Sequence, residues 1–233
     1  NSLIMTSIRS HLLLALFAFI AFVATSSAQE KPEKPKKTGS TFTAIALSSL
    51  PYEHLYYRNG REFIEIEWRN GSRSKPFSLS RAKALEVYID HNDPKNPYLL
   101  VGQAALVPGT QKMLYFFGER GKQREGQLPL GLYGIDDSET TFPESSFRFI
   151  NFIRVPLLID FNKKRFLVKP GKPTVKKLNL TKAGAFIPFV VSDTEGKVLD
   201  GTRLFGHALN RKMVLIFPPK KGKKRLDIRC FSD

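Results

Sequence analysis

The stretch that decides the fold runs from Tyr56 to Arg69 and reads YYRNGREFIEIEWR. Ile64, Ile66 and Trp68 are separated by charged residues, and this period of two is typical of a β-strand with one buried face. The pair Asn59-Gly60 precedes the run, and the positive φ angles that such a pair adopts suit the tight turn of a hairpin. The sequence therefore predicts an antiparallel hairpin here.

The same alternation recurs from Thr41 onward, with turn residues between the runs, and no window gives a long amphipathic helix. We therefore expect an all-β protein of two tandem antiparallel β-sandwich domains, immunoglobulin-like or of another Greek-key type. A single larger barrel-like sandwich is the alternative. The alternating residues that carry this expectation are Leu85, Val87, Ile89, Phe147, Phe149, Leu157, Ile159, Phe161, Phe166 and Val168.

Short matching stretches occur in the same order in both halves of the chain, which indicates an internal duplication. Two unrelated sandwiches with similar strand chemistry are the alternative. The matches are Thr41-Phe42 with Ser146-Phe147, Lys75-Pro76 with Lys172-Pro173, Ala105-Leu106 with Ala208-Leu209, and Lys112–Phe117 with Lys212–Phe217.

This pattern places the first domain at residues 41–118, an interdomain connector at 119–144 and the second domain at 145–233. Repeated glycines, among them Gly131 and Gly134, predict that the connector holds no regular element. Its apolar middle predicts that it packs against one or both domains.

The first 28 residues have the three parts of a secretory signal peptide: Arg9, the apolar run Leu12–Val23, and small residues that end at Ala28. A membrane-spanning helix needs about 20 apolar residues, so we expect cleavage after Ala28, with retention as an anchor as the alternative. Residues 29–40 are rich in Lys and Pro and predict a disordered linker. We expect an exported protein, whether periplasmic, on the cell surface or secreted.

The 233 residues carry a formal charge of +16 and contain one cysteine, which excludes a disulfide-stapled scaffold. Leu226, Ile228 and Cys230 alternate with charged residues, so the pattern predicts a buried, unreactive thiol on the apolar face of a strand.

No motif in the sequence indicates a reaction, a metal or a cofactor, and we expect a protein that is not an enzyme. The segment Asp90–Pro94 is strong turn chemistry, although its oxygens are also metal-ligand types. The acidic cluster Asp136–Glu139 with Glu144 is expected to face Lys and Arg side chains across the domain junction, with calcium binding as the alternative.

The positive charge is the feature with functional weight. Five cations between two predicted strands are expected to project from a hairpin tip and to attract polyanions. Anionic polysaccharide, lipid headgroups and free nucleic acid all fit, while lysines that merely protect sheet edges are the alternative. The predicted binding residues are Lys220, Lys221, Lys223, Lys224 and Arg225.

The leading functional hypothesis is thus a non-enzymatic binding or structural module of the cell envelope. A second hypothesis is a hydrolase or carbohydrate-active accessory protein with a site in the interdomain cleft, near His91, Asp93 or residues 136–144. A third is a partner of another envelope protein, which it contacts through an exposed strand edge or the aromatic strand Met113–Phe117.

Residues 136–152 read DDSETTFPESSFRFINF and are followed at 166–171 by FLVKPG. Together with YYRNG at 56–60 and SKPF at 74–77, this pattern resembles uncharacterised exported bacterial β-sandwich proteins, although those usually have Gly where this chain has Ser145. The resemblance spans most of residues 41–233 and implies export and a β fold. It supplies no activity and no functional residue.

Overall fold

A computed structural model describes residues 39–79, 83–91, 93–121, 124–181 and 183–232 of the chain. The predicted signal peptide and all of the predicted linker before Gly39 lie outside these residues. The described residues form sixteen β-strands and contain no helix, hence none long and apolar enough to cross a membrane. The all-β, tandem-sandwich prediction is confirmed.

The first sandwich has two four-stranded sheets, an outer sheet in the order β3-β2-β5-β6 and an inner sheet in the order β4-β1-β7-β8. All neighbours are antiparallel except β1 and β7, which pair in parallel. The strands are β1 (Ser40–Ala46), β2 (Tyr56–Asn59), β3 (Glu62–Glu65), β4 (Phe77–Leu79), β5 (Ala84–Asp90), β6 (Tyr98–Ala105), β7 (Lys112–Glu119) and β8 (Leu130–Asp136).

The second sandwich repeats this topology strand for strand. Its outer sheet has the order β11-β10-β13-β14 and its inner sheet the order β12-β9-β15-β16, with β9 and β15 parallel. The strands are β9 (Ser146–Asn151), β10 (Leu157–Phe161), β11 (Lys164–Val168), β12 (Thr174–Lys177), β13 (Ala185–Ser192), β14 (Val198–Gly206), β15 (Arg211–Phe217) and β16 (Asp227–Ser232).

Each sandwich has its own core, and a third apolar cluster joins the two inner sheets. Ile45 and Leu114 of the first inner sheet pack there with Ile150 and Leu215 of the second. The inner strands are therefore covered on both faces, which explains why β7 and β15 are continuous apolar runs rather than alternating ones. The four sheets form four layers, with the two outer sheets facing away from the junction.

The predicted hairpin at the start of the chain is present, and its two strands are β2 and β3. Gly60 adopts a φ of 67° as the first residue of the two-residue turn Gly60-Arg61. The positive φ predicted for Asn59 is not observed, because Asn59 is the last residue of β2 and pairs with Glu62. Strand β3 ends at Glu65, so it is shorter than the alternation of Ile64, Ile66 and Trp68 predicts.

The glycines at residues 119–144 predict an irregular connector, yet Leu130–Asp136 forms β8 and pairs with β7. That prediction is wrong because these glycines serve close packing. A Cβ atom on Gly134 would lie 2.5 Å from Cε1 of Tyr115, and one on Gly131 would lie 3.1 Å from the carbonyl oxygen of Gly118. The missing side chains let β8 lie flat beside the aromatic strand β7.

The prediction of a buried Cys230 is also wrong. Cys230 lies on β16, an edge strand, and is exposed. By the alternation of the strand it shares the face of Leu226 and Ile228, which do pack against the second core. Cys230 lies closer to the end of β16, past the residues that pack against the core. The alternating pattern therefore predicted the correct side of the strand for Cys230 but not its exposure.

Candidate functional site

The structure places all five predicted binding residues on one exposed loop between β15 and β16, residues 218–226. We call Lys220–Arg225 the basic loop. Its turn is closed by a hydrogen bond from the Lys223 amide to the Lys220 carbonyl oxygen at 2.8 Å, and Gly222 takes a φ of 77° within it. A short turn therefore holds these cations close together.

Each end of the basic loop lies near a carboxylate, and the Arg225 end is hydrogen-bonded to it. The Arg225 guanidinium donates to Oδ1 of Asp200 at 3.0 Å and to the Gly201 carbonyl oxygen at 3.2 Å, which ties the loop to strand β14. Lys220 lies 3.8 Å from Asp227. In the described part of the chain, the remaining lysines form no ion pair: Lys221, Lys223 and Lys224. Lys221, Lys223 and Lys224 therefore present their positive charges to solvent on a loop that Arg225 ties to β14.

The basic loop belongs to the half of the molecule that carries nearly all of the net charge. Residues 40–137 contain 12 Lys and Arg against 11 Asp and Glu, a net charge of +1. Residues 146–233 contain 20 Lys and Arg against 6 Asp and Glu, a net charge of +14. The second sandwich is therefore a strongly electropositive body joined to a nearly neutral one.

Exposed apolar side chains are also concentrated in the second half. Among the described residues, Leu99 is the one exposed large apolar side chain in the first sandwich. Phe186 and Phe205 lie opposite each other on β13 and β14, 69% and 41% exposed, with ring centroids 5.2 Å apart. Sequence reasoning missed this pair because each phenylalanine fits an alternating strand pattern equally well as a core residue.

A cluster of opposite charges links the two sandwiches. The Asp137 carboxylate is 6% exposed and lies 2.5 Å from Nη1 of Arg73, 3.5 Å from Nη1 of Arg148 and 3.8 Å from Nη2 of Arg211. Arg73 comes from the first sandwich, whereas Arg148 and Arg211 come from β9 and β15 of the second. The prediction that the acidic cluster faces basic side chains across the junction is confirmed for Asp137.

Arg148 is the most buried member of this cluster, and sequence reasoning missed it. It is 2% exposed, its guanidinium lies over the Phe142 ring at 4.1 Å, and its Nε has no hydrogen-bond partner among the described residues. Burial lowers the pKa of Arg148 to about 10, so the side chain stays charged at neutral pH. In the sequence FRF it looks like an outward residue of a half-buried strand. Only the second packed sheet makes its position internal.

A cavity of about 420 Å³ opens beside Arg148 at the junction. Tyr133 and Asp136 of β8 line it together with Thr141, and the Tyr133 hydroxyl donates to the Gly171 carbonyl oxygen at 2.7 Å. Burial raises the pKa of Tyr133 to about 12, so its hydroxyl remains a proton donor. The cavity can hold a small ligand with an apolar body and one acidic group.

The structure does not bring His91 and Asp93 to this cavity. Both lie in the turn between β5 and β6, where the His91 amide donates to the Pro97 carbonyl oxygen at 2.7 Å and Asp93 accepts from the Lys95 amide at 2.9 Å. The turn interpretation of this segment is confirmed. Within the described ranges, no group of three or more His, Cys, Asp or Glu side chains is placed to hold a metal ion.

The aromatic strand Met113–Phe117 cannot serve as a binding face. All five residues are 2% exposed or less, because they lie in an inner sheet with a core on each side. That part of the third hypothesis is wrong, since the run is apolar for packing and not for recognition.

The fold and its surface define an all-β protein of two face-packed sandwiches, one neutral and one strongly basic. No protein-family model and no curated protein sequence matches this chain.

Proposed function

We propose that this protein is an exported, non-enzymatic binding or structural module of the cell envelope that holds anionic polymers or surfaces through the basic loop. Anionic polysaccharide, lipid headgroups and acidic envelope proteins are the partners that this chemistry fits. The observation that carries the proposal is the trio Lys221, Lys223 and Lys224, which is exposed and forms no ion pair with the described residues, on a loop that Arg225 ties to β14.

The charge distribution supports the same proposal. A net charge of +14 on one sandwich attracts a polyanion over a distance of about one Debye length, roughly 8 Å at physiological salt. Binding then releases condensed counterions, so the affinity falls as salt rises. Lysines that only protected sheet edges would be spread over edge strands, whereas these stand on a loop beyond the last paired residues of β15 and β16.

The test measures binding of residues 29–233 to a sulfated polysaccharide at several salt concentrations. This fragment contains all sixteen strands of the described fold. Replacing Lys221, Lys223 and Lys224 by Gln should weaken binding and reduce the slope of log affinity against log salt by about one for each lysine removed.

The matched control removes three exposed cations from the first sandwich, by the substitutions Arg61→Gln, Lys83→Gln and Lys95→Gln. It changes the net charge by the same amount and should leave the affinity close to that of the wild type. Binding that does not depend on salt, or equal losses in both triple variants, would overturn the proposal.

The cavity at the junction favours a second candidate, a carbohydrate-active accessory protein that binds a small acidic sugar in the interdomain cleft. Arg148 supplies a buried cation whose Nε has no hydrogen-bond partner among the described residues. The hydroxyl oxygens of Thr141 and Tyr133 can accept hydrogen bonds, although both groups already donate to backbone carbonyls. Asp136 is the one carboxylate in the cavity lining, and glycoside hydrolysis requires a pair. The cleft therefore fits binding rather than cleavage.

A titration with glucuronate, followed by the melting temperature, tests this candidate. A rise in melting temperature that glucose does not produce, and that Thr141→Val reduces, would support it. The absence of a rise at millimolar glucuronate would remove it.

A further inference from the structure

We propose that the edge of the second sandwich formed by β13 and β14 docks on an anionic lipid surface. Exposed apolar side chains would enter the headgroup region while the neighbouring cations contact phosphate groups. This inference rests on the proposed function and specifies its partner, because exposed aliphatic side chains add an apolar contribution that a sulfated polysaccharide does not use.

The apolar part of the surface consists of four side chains, which we call the apolar edge patch. Phe186 and Phe205 face each other across β13 and β14, and the Phe205 ring also covers Gly184, where an added Cβ would lie 2.5 Å from the Phe205 Cζ atom. Val198 at the start of β14 is 63% exposed, and Leu209, just after its end, is 56% exposed. Val198 and Phe205 lie roughly 23 Å apart along the edge strand β14, with Thr202 and Arg203 exposed between them.

Cations lie directly beside this patch. Nζ of Lys212 is 5.4 Å from the Phe205 ring centroid, and Lys212 also donates to the Phe205 carbonyl oxygen. Arg203 is exposed two residues before Phe205 and shares its face of the strand. The basic loop reaches the same strand through the pair of Arg225 with Asp200. Apolar and basic groups therefore occur together along one edge.

This combination fits a lipid surface better than a soluble polymer. A polysaccharide or a nucleic acid gains nothing from Val198 and Leu209, because its backbone is hydrophilic, whereas the boundary between headgroups and acyl chains takes up such side chains favourably. Anionic headgroups attract adjacent Lys and Arg in the same orientation. The positive charge of this sandwich makes the complementary surface anionic.

On the outer sheet of the first sandwich, the aromatic side chains contact one another and their hydroxyl groups bind carboxylates. The rings of Phe63 and Tyr98 stack at 4.0 Å, and Phe63 also meets Tyr88 edge-on. The hydroxyl groups of Tyr56 and Tyr88 donate to Asp90 and Glu86. These aromatics are occupied with one another and with carboxylates, while Phe186 stands out from its sheet.

The test is cosedimentation of residues 29–233 with phosphatidylcholine vesicles, with and without phosphatidylglycerol. The double variant Phe186→Ser with Phe205→Ser should bind the anionic vesicles at least about tenfold more weakly, because a tenfold step needs only part of the transfer free energy of one aromatic ring. Leu99→Ser, which removes the exposed apolar side chain of the first sandwich, is the matched control and should bind as the wild type does.

Sulfated polysaccharide separates this inference from the proposed function. The phenylalanine variant should bind that polymer with unchanged affinity, and the Lys221, Lys223 and Lys224 variant should lose both ligands.

Phenylalanine variants that bind vesicles normally overturn the lipid inference alone. Wild-type protein that binds neither probe overturns both proposals. Equal binding to neutral and anionic vesicles, or loss of the polysaccharide by the phenylalanine variant, also contradicts the lipid inference. Unchanged melting temperatures verify that the variants are folded.

Discussion

The two sandwiches have the same topology and different surfaces, one nearly neutral and one strongly basic. Their backbones agree in detail: the amide of Gly71 donates to the Ala46 carbonyl oxygen, and the amide of Gly171 donates to that of Asn151, with both glycines at positive φ. Yet one half carries a net charge of +1 and the other +14. Strand order depends on cores and turns, so the surface charge of one copy is free to change without changing the fold.

The aromatic residues differ in the same direction. All seven tyrosines lie in the first half, at positions 52–133, and the second half has phenylalanine instead. A tyrosine on an outer sheet can satisfy its hydroxyl with a carboxylate, whereas an exposed phenylalanine has no such partner. The outer-sheet aromatic residues of the first sandwich thus contact one another and carboxylates, whereas Phe186 and Phe205 of the second leave much of their rings exposed.

The largest expected effect concerns the charge cluster that joins the halves. Asp137→Ala leaves the buried Arg148 without its carboxylate, so the free energy of unfolding should fall by about 3–5 kcal/mol in urea denaturation. The double variant Asp137→Ala with Arg148→Met should recover part of this loss, because the most buried cation that Asp137 compensates is then removed as well.

The exposed pair of Lys112 with Glu139 serves as the control for that experiment. Its side chains are 62% and 77% exposed, so Glu139→Ala should cost no more than about 1 kcal/mol. An equally small effect of Asp137→Ala would mean that the junction does not depend on this carboxylate.

A second prediction uses a position where the two halves differ. Gly134 is opposite Tyr115 in the first inner sheet, and Cys230 is opposite the smaller Val214 in the second. Gly134→Ala forces a Cβ atom into the buried Tyr115 ring and should cost about 1–3 kcal/mol of stability. Cys230→Ala, at an exposed site, should change stability by less than about 0.5 kcal/mol. Similar costs at both positions would contradict the packing account of the missed strand β8.

The smallest effect tests the shared backbone geometry. Gly71 and Gly171 have φ angles of 69° and 61°, and no atom lies within 4 Å of an added Cβ at either site. Gly71→Ala and Gly171→Ala should therefore each cost about 1–2 kcal/mol, from the left-handed backbone alone. Thermal unfolding of both variants would show whether the costs match. A large difference would mean that the two turns are not equivalent.

Local signals in the sequence were sufficient for most of the alternating strands, the first hairpin and the order of the repeat, but not for β8, whose glycines predict an irregular segment. The sequence alignment of the two halves is wrong by one residue in β7 and β15. Met113 and Met213 align in the sequence, yet Met113 packs in the core of the first sandwich and Met213 packs in the apolar cluster between the inner sheets. A one-residue slip reverses the face of a strand, and in a strand that is apolar on both sides nothing in the sequence marks the slip.

The sequence predicted only the part of the candidate site that lies in one continuous stretch of the chain. The basic loop is a continuous run of charge and could be read directly. Arg148 of β9, Arg73 and Asp137 come together from distant parts of the sequence. Their contact depends on the face-to-face packing of the inner sheets, which the sequence does not encode locally. The continuous apolar run of β7 was the available signal that an inner sheet is covered on both faces.

The most direct test of this account is a lysine-acetylation footprint of residues 29–233, measured by mass spectrometry with and without phosphatidylglycerol vesicles. The account predicts that binding protects Lys221, Lys223 and Lys224, while Lys83 and Lys95 of the first sandwich react at their unbound rates. Protection of Lys83 and Lys95, or equal protection of both groups, would contradict the division of roles between the two sandwiches.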